Sequence, residues 1–314
     1  MKRDAPQHSG NATNTVVLHF LKPGMYTTIQ DSGRPGHQDR GIPVGGAMDT
    51  LSAATANAIV GNAETEPVLE ITMKGPLIRF DRACQIAITG ADMKPMLNDA
   101  ELPRYTLLNI EAESELRFDK LRNGCRAYIA VRGTWHTHRW LGSASALAIG
   151  GVDLVPGAIL HKGASLSIVT STPLQASSNG MHPAGPWPTE LDVHVLAGPE
   201  FKWFSAGQIA SFFNTAFTVR PESNRIGYRL DPVLPAYIQK SELISSGIVP
   251  GTIQVTRDGQ PIILMADAQT TGGYPRIANV LASDICRLAQ LKPGDEVRFK
   301  IVKARSEAPA GGTQ

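Results

Sequence analysis

The chain has 314 residues, enough for two domains or one large one, and its 30 Lys and Arg residues are scattered among 28 acidic ones for a formal net charge of +2. This even distribution excludes the basic stripe of a nucleic-acid-binding protein, and no apolar run approaches the roughly 18 residues that a membrane span requires. The three cysteines lack CxxC spacing and residues 1–14 lack the apolar core of a signal peptide, which together predict a protein of the reducing cytoplasm.

Short apolar runs bounded by Gly, Pro, Asn or Asp recur along the chain, and they predict a mainly β (α+β) fold of sandwich or barrel type with few short helices. The 30 glycines and 22 prolines indicate many tight turns between these runs. The predicted strands are Val16–Phe20, Val68–Thr72, Leu77–Phe80, Gln85–Thr89, Leu116–Phe118, Ala127–Val131, Leu191–Leu196, Phe217–Arg220, Pro261–Met265 and Val297–Val302.

Three helices are expected between the strands. Asp49 is placed to cap a helix over Thr50–Val60, which the following Gly-Asn pair would end in a left-handed conformation. A second helix is predicted over about Glu200–Phe213, with the preceding proline at its first turn. Ser283 could cap a third helix that ends near residue 290.

Two segments of the chain echo each other and suggest two β-rich halves. Residues 159–168 (ILHKGASLSI) and 290–299 (QLKPGDEVRF) both place a glycine turn before an alternating strand, and each closes one half. A diverged duplication and chance both explain this echo. The stretch between the halves is rich in Ser, Pro and Gly, as linkers are. The predicted organisation is a disordered tail over 1–14, an N-terminal domain over 15–172, a linker over 173–188, a C-terminal domain over 189–303 and a second disordered tail over 304–314.

A long glycine-rich loop is the first candidate for ligand contact. Residues 27–49 (TTIQDSGRPGHQDRGIPVGGAMD) leave a strand near Gln30 and carry Asp31 and Arg34, polar groups that could orient a carboxylate or an amide. Loops this long are usually either functional or solvated connections. We expect the loop to be functional and Asp49 to act only as the helix cap.

Two further polar stretches lie in the C-terminal half. Residues 220–231 (RPESNRIGYRLD) hold several arginines that suit carboxylate or phosphate recognition, although an exposed strand with ordinary surface charges explains them equally well. Residues 266–276 (ADAQTTGGYPR) set hydroxyls and glycine amides behind an apolar strand, where an anion or an amide oxygen could approach the backbone. The structural alternative for this stretch is a hairpin turn at Gly272-Gly273.

Common catalytic and metal-binding motifs are missing from the sequence. No phosphate-binding loop, GxGxxG or GxSxG occurs. The WHTHRW segment (135–140) places His136 and His138 on one strand face, but its spacing suggests no third ligand. We therefore predict no metal site.

Several long blocks, in this order, carry a family resemblance: TTIQDSGRPGHQDRGIPVGGAMD (27–49), LEITMKGPLIRF (69–80), NRIGYRL (224–230), SSGIVPGTIQVTRDGQPIILMADAQTTGGYPRI (245–277) and LAQLKPGDEVRF (288–299). They resemble the allophanate hydrolase subunit 2 family, also described as the biotin-dependent carboxyltransferase-like family. Its best-defined bacterial members are the C subunits of ATP-dependent 5-oxoprolinase. The resemblance spans about residues 16–301.

One block departs from the family pattern. Where the family reads Gly-Ser-Arg-Ser-Thr, this chain has Ala144 and Ala146 within RGTWHTHRWLGSASALAIGG (132–151), beside unusual tryptophans and histidines. If this block contributes to the site, the substrate could differ from that of the family.

The resemblance implies a cyclophilin-like β-barrel architecture, at least in the C-terminal half. It also implies two partners, the B subunit (allophanate hydrolase subunit 1-like) and the A subunit of 5-oxoprolinase, and ATP as cofactor, held on this chain or on a partner. The implied activity is ATP-dependent cleavage of the 5-oxoproline lactam to glutamate.

A lactam is a poor electrophile, so its cleavage needs a cation for the substrate carboxylate, donors for the developing oxygen charge and a carboxylate that moves a proton. We expect Asp31 to act as the base with Arg34 orienting it, Thr270 and Thr271 to act as donors, and Arg225 or Arg229 to bind the carboxylate. The full set expected to contact substrate is Gln30, Arg225, Tyr228, Arg229, Gln254, Gln269, Gly272, Gly273 and Tyr274.

Two other functions are open on the sequence. One is a carboxyltransferase-type subunit that moves CO2 from carboxybiotin to a urea- or allophanate-like amide, with biotin as its cofactor. The other is a non-catalytic antagonist that binds the subunit 1-like, kinase-inhibiting protein. Neighbouring genes for a biotin carboxylase and carrier would favour the carboxyltransferase, whereas a neighbouring gene for the A subunit would favour 5-oxoprolinase.

Overall fold

The structure is a computed structural model that describes residues 15–170, 186–235 and 243–302. Residues 15–170 form one helix, α1 (Thr50–Val60), and a series of strands. The strands are β1 (Thr15–Lys22), β2 (Tyr26–Gln30), β3 (Val68–Thr72), β4 (Leu77–Phe80), β5 (Cys84–Asp92), β6 (Pro95–Leu97), β7 (Ala100–Glu101), β8 (Leu108–Ile110), β9 (Glu115–Phe118), β10 (Asn123–Val131), β11 (Thr134–His136), β12 (Ala148–Ile149), β13 (Val152–Asp153) and β14 (Ser165–Val169).

Two antiparallel sheets pack face to face in this half. The first has seven strands in the order β11-β14-β1-β4-β9-β6-β7, and the second has five in the order β2-β3-β10-β5-β8. Leu18 and Phe80 of the first sheet share one apolar core with Ile71, Ile88 and Ile129 of the second. Because side chains alternate along each strand, every inward residue adds to this core while its neighbours face outward.

Helix α1 covers the outer face of the five-stranded sheet, where Ala56 and Val60 pack against residues of β5 and β10. The helix begins as predicted, because the Asp49 carboxylate accepts a hydrogen bond of 3.0 Å from the Ser52 backbone N–H. It ends at Gly61, whose φ of +75° is the left-handed conformation that glycine adopts at low cost.

The described residues of the second half, 186–235 and 243–302, form a closed barrel and two helices, α2 (Ala206–Asn214) and α3 (Ala282–Leu288). The barrel order is β15-β22-β19-β20-β17-β16-β23, and the last strand pairs with the first in parallel, which closes the ring. Phe212 of α2 stacks on Phe299 at 4.5 Å between ring centroids, inside the barrel core. The strands are β15 (Glu190–Ala197), β16 (Phe217–Val219), β17 (Gly227–Asp231), β18 (Ser246–Gly247), β19 (Thr252–Val255), β20 (Pro261–Leu264), β21 (Thr271–Gly272), β22 (Arg276–Val280) and β23 (Glu296–Ile301).

The expected mainly β fold, with a few short helices and a β-barrel in the C-terminal half, is confirmed. Each predicted strand coincides with an observed one, and α1 has the predicted bounds. The predicted start of the second helix is wrong: residues 201–203 form a separate 3-10 turn, and α2 begins after Ser205, which forms a capping box with Gln208.

The predicted cap of the third helix is also wrong. Leu281 occupies the N-cap position of α3, and no side chain caps the helix there. Ser283 lies within the first turn. The neighbouring Asp284 carboxylate instead accepts a 2.7 Å hydrogen bond from the backbone N–H of His194 on β15, so α3 is held by the barrel.

The predicted linker ends in ordered structure. Trp187 is buried and donates its backbone N–H to the Asn123 side chain at 2.5 Å and its indole N–H to the Gly90 carbonyl at 3.2 Å. Trp187 therefore packs against the N-terminal half. Most of the predicted linker and both predicted tails lie outside the described residues, and the domain boundaries stay predictions.

Candidate functional site

A buried network of charged side chains lies where the two halves meet. Glu70 of β3, 1% exposed, accepts a hydrogen bond of 2.6 Å from Arg225 and lies 3.7 Å from the Nε atom of Arg126 on β10. Arg225 also binds both carboxylate oxygens of Asp267, at 2.7 and 2.8 Å. Two cations and two anions therefore neutralise each other, with Glu70 and Arg126 on strands of the N-terminal half and Arg225 and Asp267 on segments outside the strands of the barrel half.

Electrostatics holds Glu70 in its charged form. Burial would raise the pKa of the Glu70 carboxyl, but Arg225 and Arg126 outweigh it and leave that pKa below its ordinary value. The backbone N–H of Met48 and the hydroxyl of Tyr128 each donate to the second carboxylate oxygen at 2.8 Å. Glu70 thus ties the sheet, the glycine-rich loop and the barrel side together.

A cleft of about 350 Å³ opens onto this network. Its walls include Tyr26, Thr72 and Ile226, and Arg126, Arg225 and Asp267 also line it. Two other cavities, of about 360 and 460 Å³, open on the seven-stranded sheet around Arg117, where the charged side chains are exposed or half-buried. Because buried polar groups fix a ligand's orientation more firmly than solvated ones, the cleft between the halves is the candidate site.

Asp31 lies beside this region, and the divergent 132–151 block wraps its carboxylate. The hydroxyls of Ser143 and Ser145 donate to one oxygen at 2.6 Å each, together with the Gly33 N–H at 2.8 Å, and the Ala144 N–H donates to the other at 2.7 Å. These donors occupy the positions from which Asp31 would take a proton. The observed contacts make it an anchor for the block, and its role as a base stays a prediction.

Arg34 is a buried cation whose donors are only partly used. Its side chain is 1% exposed, and its Nη2 atom donates to the Ser145 carbonyl and, at 3.4 Å, to the Ser143 hydroxyl. Its Nε and Nη1 atoms have no hydrogen-bond partner among the described residues. Burial lowers the pKa of the Arg34 guanidinium, and Asp31 and Asp267 oppose that shift. Arg34 meets Asp31 through Ser143, which donates to Asp31.

The glycine-rich loop reaches the barrel at the start of the 266–276 stretch. The Gly45 N–H donates to the Ala266 carbonyl at 3.2 Å, and Arg225 donates to the Gly46 carbonyl at 2.6 Å. The loop that carries Asp31 and Arg34 is therefore joined to the network around Asp267 through its glycines at positions 45 and 46. The loop and the first residue of the 266–276 stretch are therefore in direct backbone contact.

The later residues of the 266–276 stretch contact residues 246–248. Thr271 is exposed and β21 pairs with β18, while the Thr270 carbonyl accepts from the Ile248 N–H at 3.0 Å. Gln269 and Tyr274 are also exposed. Within the described residues, no hydrogen bond joins Thr270 or Thr271 to Asp31 or Arg34, and neither threonine lines the cleft. Their role as donors stays a prediction.

Close packing accounts for the absence of a side chain at Gly272, the first glycine of the predicted hairpin turn. Gly272 lies in strand β21, and a Cβ atom there would come 2.5 Å from the Gln254 side chain. Gln254 is buried and donates to the Tyr274 carbonyl at 3.3 Å. A side chain at Gly272 would therefore displace the Gln254 amide, and Gly272-Gly273 forms no hairpin turn because Gly272 lies in a strand.

The polar side chains of residues 220–231 do not point towards a common site. Tyr228 faces the barrel interior and its hydroxyl accepts a 2.6 Å hydrogen bond from Arg126, whereas Arg229, the next residue on β17, is exposed and donates to Gln260 at 2.9 Å. Alternation along a strand separates neighbours in this way. Arg225 precedes the strand and is the arginine of this stretch that lines the cleft, with its guanidinium already bound by protein acceptors.

Sequence reasoning missed several residues of the site: Glu70, Arg126, Asp267, Ser143 and Ser145. Glu70 and Arg126 each stand as a single charge inside an apolar strand (VLEIT and NGCRAYIAV), a pattern that indicates a buried and paired side chain. Gln30, which was predicted, is buried, and its carbonyl oxygen has no partner among the described residues.

No group of three or more His, Cys, Asp or Glu residues able to hold a metal occurs in the described parts of the chain. His136 and His138 are both exposed. Among the same residues, none of the helices combines the length and apolarity needed to cross a membrane.

Known proteins share both the sequence and the fold of this chain. It is 35% identical to the C subunit of the Escherichia coli 5-oxoprolinase over 283 residues, 90% of each chain, and 33% identical to that of Haemophilus influenzae over 295 residues, 93% of each. The crystal structure of the Kluyveromyces lactis urea carboxylase matches 91% of this chain with a TM-score of 0.81 and 30% identity, although this chain spans only 27% of that longer one. A family model described as the carboxyltransferase domain, subdomain A and B, matches residues 40–301. The chain therefore belongs to the carboxyltransferase domain, subdomain A and B, family.

Proposed function

We propose that this chain is the C subunit of an ATP-dependent 5-oxoprolinase and acts in the cytoplasm with the A and B subunits to cleave the 5-oxoproline lactam to glutamate. The observation that carries the proposal is the 35% identity with the Escherichia coli protein over 90% of both chains. A match that covers nearly all of each chain supports the same assembly role more strongly than a match to one module of a longer enzyme.

The cleft supports a small acidic substrate. Its volume of about 350 Å³ lies at the lower end of ligand sites, which span roughly 300–1,000 Å³. The buried Arg34 guanidinium near it, whose Nε and Nη1 donors have no partner among the described residues, suits a carboxylate, and the apolar wall at Ile226 suits a ring. In this proposal the chain binds and orients the lactam and keeps bulk water away from it.

ATP fits the described cleft poorly. Arg126 and Arg225 are neutralised by Glu70 and Asp267, so the cleft offers little excess positive charge to a triphosphate. The sequence also lacks a phosphate-binding loop. We therefore place ATP on one of the partner proteins, where it would supply the phosphoryl group that activates the lactam oxygen.

The test is co-expression with the A and B subunits, followed by measurement of glutamate formed from 5-oxoproline and ATP. We expect turnover from the complete complex and none when this chain is omitted. A complex that assembles fully but releases no glutamate would reject the proposal.

The match to urea carboxylase favours a second candidate, a carboxyltransferase-type subunit that acts on a urea-like amide with carboxybiotin. Incubating the chain with a carboxylated biotin carrier and urea tests this function. Loss of the carboxyl group from the carrier that depends on both the chain and urea would favour it over lactam cleavage.

A further inference from the structure

We infer that Arg34, and not Arg225, binds the carboxylate of the substrate acid, which reaches it beside the backbone of Gly45. This inference rests on the proposed function, because it assigns a residue to that same substrate.

Arg225 has little capacity left for a ligand. Its Nε and Nη2 atoms bind the Asp267 carboxylate, Nη1 binds Glu70 at 2.6 Å, and Nη2 also binds the Gly46 carbonyl at 2.6 Å. A substrate carboxylate at Arg225 would compete with two buried carboxylates for one cation. Breaking either pair would leave a buried charge without its partner, which is costly.

Arg34 is in the opposite state. It forms no ion pair with a carboxylate of the described chain, and its two bonded acceptors, the Ser145 carbonyl and the Ser143 hydroxyl, are both neutral. Its Nε and Nη1 donors are buried and have no partner among the described residues. Buried donors without acceptors are rare because each forfeits the hydrogen bond that it made in water. An anionic ligand would supply the missing acceptors and add to the charges of Asp31 and Asp267, which act on Arg34 without accepting a hydrogen bond from it.

Gly45 lies between Arg34 and the cleft. A Cβ atom at this position would lie 3.1 Å from the Arg34 Nη1 atom and 3.6 Å from the Asp267 Oδ1 atom, and Asp267 lines the cleft. Only glycine leaves that space free, and its φ of +68° also favours glycine. The Nη1 donor of Arg34 therefore lies close to a residue that lines the cleft, with only the glycine backbone at position 45 beside it.

The divergent block defines the other side of Arg34. The Trp140 ring lies 5.5 Å from the Arg34 Cζ atom and covers one face of the guanidinium. With that face covered and Nη2 bound to residues 143 and 145, an incoming acid meets the guanidinium at its Nε and Nη1 atoms.

The test compares Arg34→Gln and Arg34→Lys with Arg40→Gln in the assembled complex of the three proteins. Arg40 is exposed and lies on the same loop, so its variant is a matched control. We expect Arg34→Gln to raise the KM for 5-oxoproline by roughly 10- to 100-fold with a smaller change in kcat, since it removes charge-assisted hydrogen bonds to the ground-state acid. Arg34→Lys should recover part of the loss, and Arg40→Gln should leave KM unchanged.

A binding measurement separates this inference from the proposed function. In the same complexes, calorimetry compares 5-oxoproline with 2-pyrrolidinone, the same lactam without the carboxylate. The wild type should prefer the acid, and Arg34→Gln should abolish that preference while Arg40→Gln keeps it. If wild-type turnover is absent, the proposed function fails while this preference still decides the role of Arg34. Equal binding of acid and neutral lactam by the wild type, or an undiminished preference in a folded Arg34 variant, would overturn the inference.

Discussion

Replacing Glu70 by Gln would remove the negative charge that faces Arg225 and Arg126 without changing the size of the side chain. Glu70 is 1% exposed, so water cannot take its place beside the two guanidinium groups and solvate them. Arg225 would keep Asp267, whereas Arg126 would keep only neutral acceptors, the Tyr228 hydroxyl and a backbone carbonyl among them.

The expected loss follows from this imbalance. Removing one partner of a buried ion pair typically costs about 3–5 kcal/mol, because the remaining charge stays buried. Asp267 offsets part of this cost at Arg225, so we expect the free energy of unfolding to fall by about 3 kcal/mol. A domain is stable by only about 5–15 kcal/mol, so this loss should be plain in a denaturant titration.

The effect should depend on pH with a definite sign. The folded-state pKa of Glu70 lies below its ordinary value, while the unfolded-state pKa is about 4.3. Ionised Glu70 therefore stabilises the fold above that pH, and its contribution is lost as the pH falls through the folded-state pKa. The difference in unfolding free energy between wild type and Glu70→Gln should be full at pH 7 and should shrink on acidification.

The assay is urea unfolding of both proteins at several pH values, with Glu101→Gln as the matched control. Glu101 also pairs with an arginine, Arg122, at 2.6 Å, but at the surface, where solvent screens the pair. Equal losses in the two variants, or a loss at Glu70 that stays constant into the acid range, would refute the argument.

Two further predictions concern glycine and helix capping. Gly45→Ala and Gly41→Ala should each lower the free energy of unfolding by about 1 kcal/mol, because both glycines have positive φ, at +68° and +76°. Only Gly45→Ala should raise the KM for 5-oxoproline, since a Cβ at position 45 would crowd Arg34 whereas nothing lies within 4 Å of a Cβ at position 41. Similar KM values for the two variants would contradict this. Ser205→Ala should lower stability by about 1 kcal/mol in a thermal unfolding scan, because the Gln208 N–H loses its acceptor, and an unchanged midpoint would remove the capping box as a contributor.

Local signals in the sequence were sufficient where one segment determines its own conformation. Asp49 and the Gly61 that ends α1 are read from neighbouring residues, and the structure confirms both ends. The start of α2 also has a local signal, because Ser205 and Gln208 have the spacing of a capping box, but the proline at 199 is a competing start signal. Two competing local signals cannot be ranked without the packing that selects one.

The candidate site was less predictable because its contacts join remote segments. Arg225 and Glu70 are 155 positions apart, and Arg34 meets Ser145 across 111 positions. A sequence shows that an arginine is present but not whether its acceptors come from the protein or from a ligand. Arg225 and Arg34 have the same side chain, but Arg225 is buried against two carboxylates that use its donors, whereas two of the Arg34 donors are left for a ligand.

The closure of each half by its last strand has a consequence for synthesis on the ribosome. Strand β1 pairs with β14, so Thr15 cannot pair until Val169 has been synthesised. Likewise β15 pairs with β23, so Leu191 cannot pair until Val297 has been synthesised. We expect the sandwich to complete while the barrel is still being translated. Until β14 or β23 emerges from the exit tunnel, the nascent half would expose the unpaired edge of β1 or β15. Chaperones that bind such edges would have time to do so during translation.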